Sequence, residues 1–222
     1  MTESAEPTHA EYYAQAGAFF RTLGALVYTE LTQGEIDNLA AMNLLAARAD
    51  MPEGDFANGL AGMGRYLARR GSNARQDLAV EYARIFLGAG VDEKDCAVPF
   101  EGVFTSRDGL LMQDARDDVV RVFAKHGMQV DASLNVPEDH LGFELQFMGI
   151  LCEQTAEAYQ AGDEERGREL EAAQADFLDR HILNWIGALS EKVERCALSP
   201  FYPSVMKVIR AFAAEHRAGL EL

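Results

Sequence analysis

The sequence predicts an all-α protein, a single-domain bundle of about eight to ten helices. Apolar residues recur at spacings of three and four in almost every segment, and no run of alternating β-branched residues indicates a strand. The 222 residues contain no long linker rich in proline, serine or glycine, which fits one domain of ordinary size. No stretch repeats with a period of about 20 to 50 residues, so a solenoid is not indicated.

Four helices are predicted in the N-terminal part of the chain. Pro52 and Gly54 separate the second from the third, and Gly71 with Asn73 separates the third from the fourth. The glycines of "GLAGMG" are best explained by close packing between helices, because their spacing differs from that of a nucleotide-binding turn. The predicted ranges are 10–31, 34–49, 55–70 and 74–88.

A long ordered loop is predicted at residues 88–106, which have no clear period and contain glycine turn signals and Pro99. A long loop inside a compact domain is often functional. We expect residues 1–72 to form the N-terminal helices of the domain and residues 73–222 to form a helical core that carries the motifs. The remaining helices are predicted at Asp108–His126, Pro137–Ala161, Glu164–Leu189 and Tyr202–His216.

The charge of the chain disfavours some classes of partner. There are 36 acidic residues against 20 basic ones, and the net charge is -16. Such a field repels nucleic acid and anionic lipid and favours cationic partners. We therefore expect no nucleic-acid partner.

The expected location is the cytoplasm, without stable membrane insertion. No stretch approaches the roughly 18 to 20 uninterrupted apolar residues of a transmembrane helix. The first residues, "MTESAEPTHAEYY", carry acidic side chains but no lysine or arginine, unlike a secretory signal. Cys96, Cys152 and Cys196 are odd in number, far apart and without CxxC spacing, which indicates a reducing compartment rather than a disulfide framework.

The segment "NVPEDHLGFELQFMGIL", residues 135–151, joins acidic and imidazole side chains to the most apolar stretch of the chain. The spacing of Asn135 and Glu138 predicts a capping box at the start of a helix. We expect His140 to be neutral or paired, because a positive charge at a helix N-terminus opposes the helix dipole. Glu144, four residues further on, is expected on the same helix face as His140.

An enzyme stays open as an alternative: a helical nucleotide hydrolase or a metal enzyme that uses Asp139, His140 and Glu144. A two-metal site in a helical bundle needs Glu-x-x-His spacings on two helices, and only Glu6 with His9 has this spacing. The chain contains no Gly-Lys pair, which excludes a P-loop, and no Gly-x-Ser-x-Gly motif. No metal site and no cofactor is therefore predicted.

Two segments combine aromatic and acidic residues. "EYARIFLG" places Tyr82 and Phe86 four residues apart, and "PFEGVF" brings Phe100 and Glu101 into the long loop. Taken alone, Tyr82 and Phe86 are typical of a core. A loop of aromatic and acidic side chains is also the composition expected of a groove that accepts the apolar and basic side chains of a peptide.

Four segments, in this order and at these distances, resemble the TorD/DmsD family of redox-enzyme maturation chaperones, which includes NarJ-like members. The resemblance runs from about residue 78 to about residue 213, and its sharpest part is the signature at Glu138, Asp139 and His140. Here Pro137 precedes the glutamate, whereas many relatives place a proline between the glutamate and the Asp-His pair. The segments are "EYARIFLG", "PFEGVFTSRDGLLMQ", "PEDHLGFELQFMGIL" and "FLDRHILNWIGAL".

The resemblance implies a non-enzymatic, all-helical cytoplasmic chaperone. Members of the family bind the twin-arginine signal peptide, and sometimes the apoprotein, of a molybdenum-cofactor oxidoreductase, and hold it until the cofactor is inserted before export by the Tat pathway. The family contains monomers and homodimers, some of them formed by exchange of helices, and the loop at 125–137 is a candidate hinge for such an exchange.

The same resemblance gives candidate site residues. An acidic groove with aromatic walls suits a ligand that is half cationic and half apolar. For Asp139 and His140 the alternative, that they only fasten the helix start to the preceding loop, stays open. The residues expected to line or brace the groove are Tyr82, Phe86, Phe100, Glu101, Asp139 and His140, together with the neighbouring acidic residues Glu138 and Glu144.

Overall fold

The computed structural model describes residues 8–49, 51–90 and 96–220. Within these ranges the chain forms eleven α-helical segments, two of them only five or six residues long, and no strand. The all-α prediction is therefore confirmed. The helices are α1 His9–Tyr28, α2 Gln33–Ala41, α3 Leu44–Ala49, α4 Asp55–Arg69, α5 Ala74–Phe86, α6 Glu101–Thr105, α7 Asp114–Lys125, α8 Leu141–Gln160, α9 Glu164–Phe177, α10 Ile186–Cys196 and α11 Phe201–Gly219, with a 3-10 turn at Ala132–Leu134 and a π turn at Leu178–Ile182.

Some expectations concern residues outside the described ranges. Residues 1–7 carry most of the segment that was compared with a secretory signal, and Glu6 of the Glu-x-x-His spacing is one of them. Residues 91–95 belong to the predicted loop.

Among the described residues, the most extensive contact between two helices joins α1 to α8, and glycines make it possible. A Cβ atom on Gly17 would lie 2.8 Å from the carbonyl oxygen of Gly149, and one on Gly24 would lie 2.9 Å from that of Gly142. Real Cβ atoms do not approach a backbone so closely, so the two helices can pack at this distance only because glycine lacks a side chain. The contact fixes the first turn of α8, which directly follows the signature residues, against α1.

A second pair of helices packs in a similar way. A Cβ atom on Gly59 of α4 would lie 2.9 Å from the carbonyl oxygen of Ser204 in α11, and one on Gly62 would lie 2.9 Å from the Cβ atom of Ser204. These glycines belong to "GLAGMG", so their prediction as helix-packing residues is confirmed. The largest fully buried side chains of the core are Trp185, Tyr202, Phe20, Phe86, Phe147, Phe177 and Phe201.

Two predicted helices are divided or shortened at residues with positive φ. The predicted helix 34–49 is divided between α2 and α3, because Asn43 has a φ of 48°. The predicted helix Asp108–His126 begins only at Asp114, because Gly109 has a φ of 64° and Met112 a φ of 60°. The left-handed conformation cannot continue a right-handed helix. The predicted helix Pro137–Ala161 also begins late, at Leu141, for a different reason that is given below.

The predicted helix Glu164–Leu189 is also divided. Helix α9 ends at Phe177, and a π turn follows in which the amide of Leu183 donates to the carbonyl of Leu178 at 2.8 Å. The indole of Trp185 donates to the carbonyl of His181 at 2.6 Å. This turn directs His181 towards α6 and α7. The last prediction, Tyr202–His216, is confirmed by α11 with slightly wider bounds.

Candidate peptide-binding site

Helix α8 begins at Leu141 with His140 as its N-cap residue. The ring nitrogen Nδ1 of His140 accepts a hydrogen bond from the amide of Gly142 at 3.0 Å. The predicted capping box between Asn135 and Glu138 is therefore wrong, since it would place the helix start several residues too early. A histidine can take the capping role only when its ring nitrogen is unprotonated.

A short antiparallel bridge between Phe100 and His140 explains why the helix starts so late. The amide of Glu101 donates to the carbonyl of Asp139 at 2.9 Å, and the amide of Leu141 donates to the carbonyl of Pro99 at 2.8 Å. Residues that form a bridge are extended, so the backbone before Leu141 cannot be helical. The bridge places the long loop directly beside the start of α8.

Asp139 is fully buried and fastens the loop to the helix start. Its Oδ2 atom accepts a hydrogen bond from the amide of Gly102 at 2.9 Å, while its Oδ1 atom has no partner among the described residues. Burial raises the pKa of Asp139, although the hydrogen bond from Gly102 acts in the opposite direction. As folded, Asp139 braces the site from below the surface.

The ring of His140 is buried among three aromatic side chains. The ring centroids of Phe100, Tyr28 and Phe143 lie 4.9, 5.6 and 5.8 Å from that of His140. Burial lowers the pKa of His140 to about 4, so the imidazole is neutral at physiological pH. The expectation of a neutral His140 is thus confirmed, and its position below the surface is that of a bracing residue.

Glu138 lies nearer the surface and connects the helix start to α7. Arg116 donates to its two carboxylate oxygens, from Nε at 2.6 Å and from Nη2 at 2.9 Å. The hydrogen bonds from Arg116 lower the pKa of Glu138. Such a bidentate pair fixes the orientation of both side chains.

Glu144 is a completely buried carboxyl group. It is 0% exposed, and neither of its oxygens has a hydrogen-bond partner among the described residues. Burial raises the pKa of Glu144 well above its usual range, and the nearby carboxylates of Glu101 and Asp139 raise it further. These surroundings favour the protonated form.

Glu101 is buried against a histidine that the sequence analysis did not select. Its Oε2 atom lies 2.9 Å from Nδ1 of His181, and its Oε1 atom accepts a hydrogen bond from Asn184 at 3.4 Å. The Nε2 atom of His181 lies 3.6 Å from Oδ2 of Asp118. His181 belongs to the quoted segment "FLDRHILNWIGAL", but the π turn that directs it inward has no periodic signal in the sequence.

Tyr82 and Phe86 are both buried in the core. The hydroxyl of Tyr82 donates to the carbonyl of Val27 at 3.3 Å, and both rings contact that of Tyr202. Burial raises the pKa of Tyr82 to about 12. Since Tyr28 packs on His140, Tyr82 is connected to the signature residues through α1.

A surface depression of about 480 Å³ lies above the Glu101–His181 pair. We call it the polar depression. Among the eight predicted site residues, Glu101 is the one that lines it. The lining residues are Glu101, Thr105, Ser106, Arg107, Asp108, Gln113, Asp114, Ala115, Asp118, Arg121, Arg180 and His181.

Three consecutive exposed apolar side chains lie next to the polar depression. Leu110, Leu111 and Met112, which we call the apolar ledge, are largely exposed, while Asp108 and Gln113, close to them in the chain, line the depression. The carbonyl of Leu110 is also close to Gly102, which Asp139 holds. A polar depression and an apolar ledge therefore adjoin each other directly above the signature residues.

The described part of the chain contains no group of three or more His, Cys, Asp or Glu side chains that could hold a metal ion. None of the described helices has the length and apolar character that crossing a bilayer requires.

Comparison with known proteins identifies the family. The model of the nitrate reductase delta subunit family matches residues 51–191, which include α4 to α9, the signature residues and His181. The chain belongs to this family. The match covers every predicted site residue, from Tyr82 to Glu144.

Several relatives of the chain are named "Chaperone protein TorD". The chain is 29% identical over 201 residues to that of Vibrio vulnificus strain YJ016, covering 86% of this chain and 87% of the relative. It is 26% identical over 206 residues to that of Vibrio atlanticus, covering 89% and 91%. Over 140 residues it is 30% identical to that of Photobacterium profundum, covering 63% and 62%.

These findings confirm the resemblance to the TorD/DmsD and NarJ-like chaperones. They also support a chaperone rather than an enzyme, because the relatives are chaperones by name. The nucleotide hydrolase and metal enzyme alternatives are not favoured.

Proposed function

We propose that the protein is a cytoplasmic chaperone that binds the twin-arginine signal peptide, and the apoprotein, of a molybdenum-cofactor oxidoreductase. It holds this client until the cofactor is inserted and before export by the Tat pathway. The family and its TorD relatives support the chaperone role. The observation that carries the peptide-binding part is the position of the apolar ledge beside the polar depression.

The two surfaces match the two halves of such a ligand. A twin-arginine signal offers two guanidinium groups next to an apolar segment. Carboxylates of the polar depression, such as Asp114 and Asp118, can accept charge-assisted hydrogen bonds from arginine. The apolar ledge can bury leucine-rich segments, which contributes about 25 cal/mol for each Å² of apolar surface removed from water. The net charge of -16 favours the approach of a cationic peptide.

The buried residues give this surface its shape. Asp139 and His140 fix the bridge between the loop and α8, and Glu101 fixes His181 at the floor of the depression. Tyr82 and Phe86 support the same region from the core. In this proposal Glu101 lines the groove, while Asp139, His140 and Glu144 brace it.

The test is a titration with the twin-arginine signal peptide of a molybdoenzyme. The peptide is compared with a version in which Ala-Ala replaces Arg-Arg, at low and at physiological ionic strength. We expect the Arg-Arg peptide to bind more tightly and its advantage to shrink with salt, because exposed charges are screened over about 8 Å at physiological ionic strength. Equal affinity of the two peptides would overturn the charge-pairing part of the proposal.

A matched pair of variants tests the apolar part. Leu111→Ser changes the apolar ledge, whereas Leu198→Ser changes an even more exposed leucine in the connection between α10 and α11. We expect Leu111→Ser to weaken binding of the Arg-Arg peptide and Leu198→Ser to leave it unchanged. The same loss in both variants would mean that the ledge is not the binding surface.

A further inference from the structure

Two arginines of the chain converge on one carboxylate in the polar depression. Nη2 of Arg121 lies 3.1 Å from Oδ1 of Asp118, and Nη2 of Arg180 donates to Oδ2 of the same residue. Arg121 follows Asp118 in α7, and Arg180 lies in the π turn. The carboxylate of Asp118 is therefore already bound by two guanidinium groups, although its side chain is 23% exposed to the depression.

His181 lies at the same place. Its Nδ1 atom is 2.9 Å from a carboxylate oxygen of Glu101. Its Nε2 atom is buried, has no hydrogen-bond partner in the described residues, and lies 3.6 Å from Oδ2 of Asp118.

A buried polar atom without a hydrogen-bond partner calls for an explanation, and here it lies beside a carboxylate that exposed arginines cover. We propose that Asp118 and Nε2 of His181 form the seat for a guanidinium group of the bound peptide, and that Arg121 and Arg180 occupy this seat until the peptide displaces them. The inference rests on the proposed function and adds to it the residues of the cationic subsite and a self-masking contact. Guanidinium fits because its planar fork of donors can bond the carboxylate and the imidazole together.

The exchange is physically easy for both arginines. The side chains of Arg121 and Arg180 are 74% and 48% exposed, and ion pairs between exposed side chains contribute little to stability. Each arginine also keeps another partner after leaving Asp118. Nε of Arg121 donates to the carbonyl of Asp117 at 3.3 Å, and Nη1 of Arg180 lies 3.2 Å from Oδ2 of Asp176.

The experiment compares four variants of the full chain. Arg121→Ala and Arg180→Ala unmask the seat, Asp118→Asn removes its charge, and Arg166→Ala is the matched control. Arg166 is an exposed arginine that pairs with Glu169 in α9 and does not line the depression. Arg166→Ala changes the net charge by the same amount as the unmasking variants. It therefore separates the effect of losing a contact with Asp118 from the effect of the net charge of the protein.

The probes are labelled synthetic peptides in which Arg-Arg, Lys-Lys or Ala-Ala precedes a leucine-rich segment. We expect Arg121→Ala and Arg180→Ala to bind the Arg-Arg peptide several-fold more tightly than the wild type, and Arg166→Ala to bind it like the wild type. We expect Asp118→Asn to weaken this binding about tenfold, as for the loss of a charge-assisted hydrogen bond, and to lose the preference for Arg-Arg over Lys-Lys.

The outcomes separate the seat from the proposed function. If the wild type prefers Arg-Arg to Ala-Ala but the variants at Asp118, Arg121 and Arg180 behave like Arg166→Ala, the seat is wrong and the function stands. If the wild type shows no preference for Arg-Arg, the charge-pairing function fails and the seat fails with it. Should Asp118→Asn not fold, the two unmasking variants decide alone, because each removes only an exposed side chain.

Discussion

Asp139 holds Gly102 through its side chain and Glu101 through its backbone carbonyl, each at 2.9 Å. One residue before the N-cap of α8 thus fixes the first turn of α6. Helix α6 begins the wall of the polar depression, so the shape of that wall depends on a residue that is itself fully buried.

The substitution Asp139→Ala should lower the free energy of unfolding by about 1 to 3 kcal/mol, because it leaves the buried amide of Gly102 without an acceptor. Asp139→Asn keeps an acceptor oxygen and should lose less. Asp131→Ala is the control, since Asp131 also accepts from an amide, that of Ser133, but at the surface where water can replace it. Urea unfolding gives the free energy of unfolding of all three variants. An Asp139→Ala variant as stable as Asp131→Ala would contradict the bracing role of Asp139.

The substitution Glu144→Gln should stabilise the protein increasingly as pH rises above about 4.5. The folded-state pKa of Glu144 is raised by burial, so above the unfolded pKa of 4.5 the unfolded chain loses a proton that the folded chain keeps. This costs the wild type stability by at most about 1.4 kcal/mol for each pH unit until the folded pKa is reached. Unfolding curves of the wild type and of Glu144→Gln between pH 4 and pH 8 check this prediction. A difference in the free energy of unfolding between the two proteins that does not change with pH would refute it.

The substitution His140→Asn should reduce the loss of stability in acid. The folded-state pKa of His140, about 4, lies below the ordinary value of 6.5, so stability is lost as pH falls from 6.5 towards 4. Asparagine keeps an acceptor for the amide of Gly142 and does not titrate. We expect up to about 3 kcal/mol less acid destabilisation than in the wild type.

A second buried histidine also contributes to the acid destabilisation of the wild type. Burial also lowers the pKa of His216 to about 4, so part of the acid destabilisation persists in His140→Asn. His140→Ala should be less stable than His140→Asn at pH 7, because it removes the cap. Identical acid profiles for the wild type and His140→Asn would show that His140 titrates in the folded chain as it does in the unfolded one.

The substitution Gly24→Ala should lower the free energy of unfolding by about 1 to 3 kcal/mol, because its Cβ would lie 2.9 Å from the carbonyl of Gly142 and would force α1 away from α8. Gly34→Ala is the control, since a Cβ there meets nothing within 4 Å and lies in the first turn of α2. It should be neutral or stabilising by up to about 1 kcal/mol. Thermal unfolding distinguishes them, and equal Tm values would mean that α1 and α8 can separate at little cost.

Apolar periodicity was sufficient to predict most of the helices. The stripes of α1, α4, α5 and α11 were found within a few residues of their observed bounds, because each of these helices buries one continuous face. Helix ends that depend on distant residues were not found. The start of α8 is set by pairing with residues 99–101, and no local signal reveals a partner about forty positions away.

Only some members of the buried charged cluster were predicted from the sequence. The family resemblance, together with helical spacing, selected Glu101, Asp139 and Glu144, whose carboxyl groups lie near one another in the folded chain. It did not select Asp118 or His181. Asp118 is one of several acidic residues on α7, and His181 reaches Glu101 only through a π turn, whose geometry leaves no recurring pattern of residue types.

The π turn also limits which changes in chain length this region can accept. A π turn accommodates one residue more than a regular α-helical path. Deleting one residue within 178–182 would let α9 continue as a regular helix, at the cost of the turn that brings His181 to Glu101. A deletion inside α9 itself would instead rotate everything that follows by about 100°. The loss of one residue should therefore be tolerated better within this turn than inside α9.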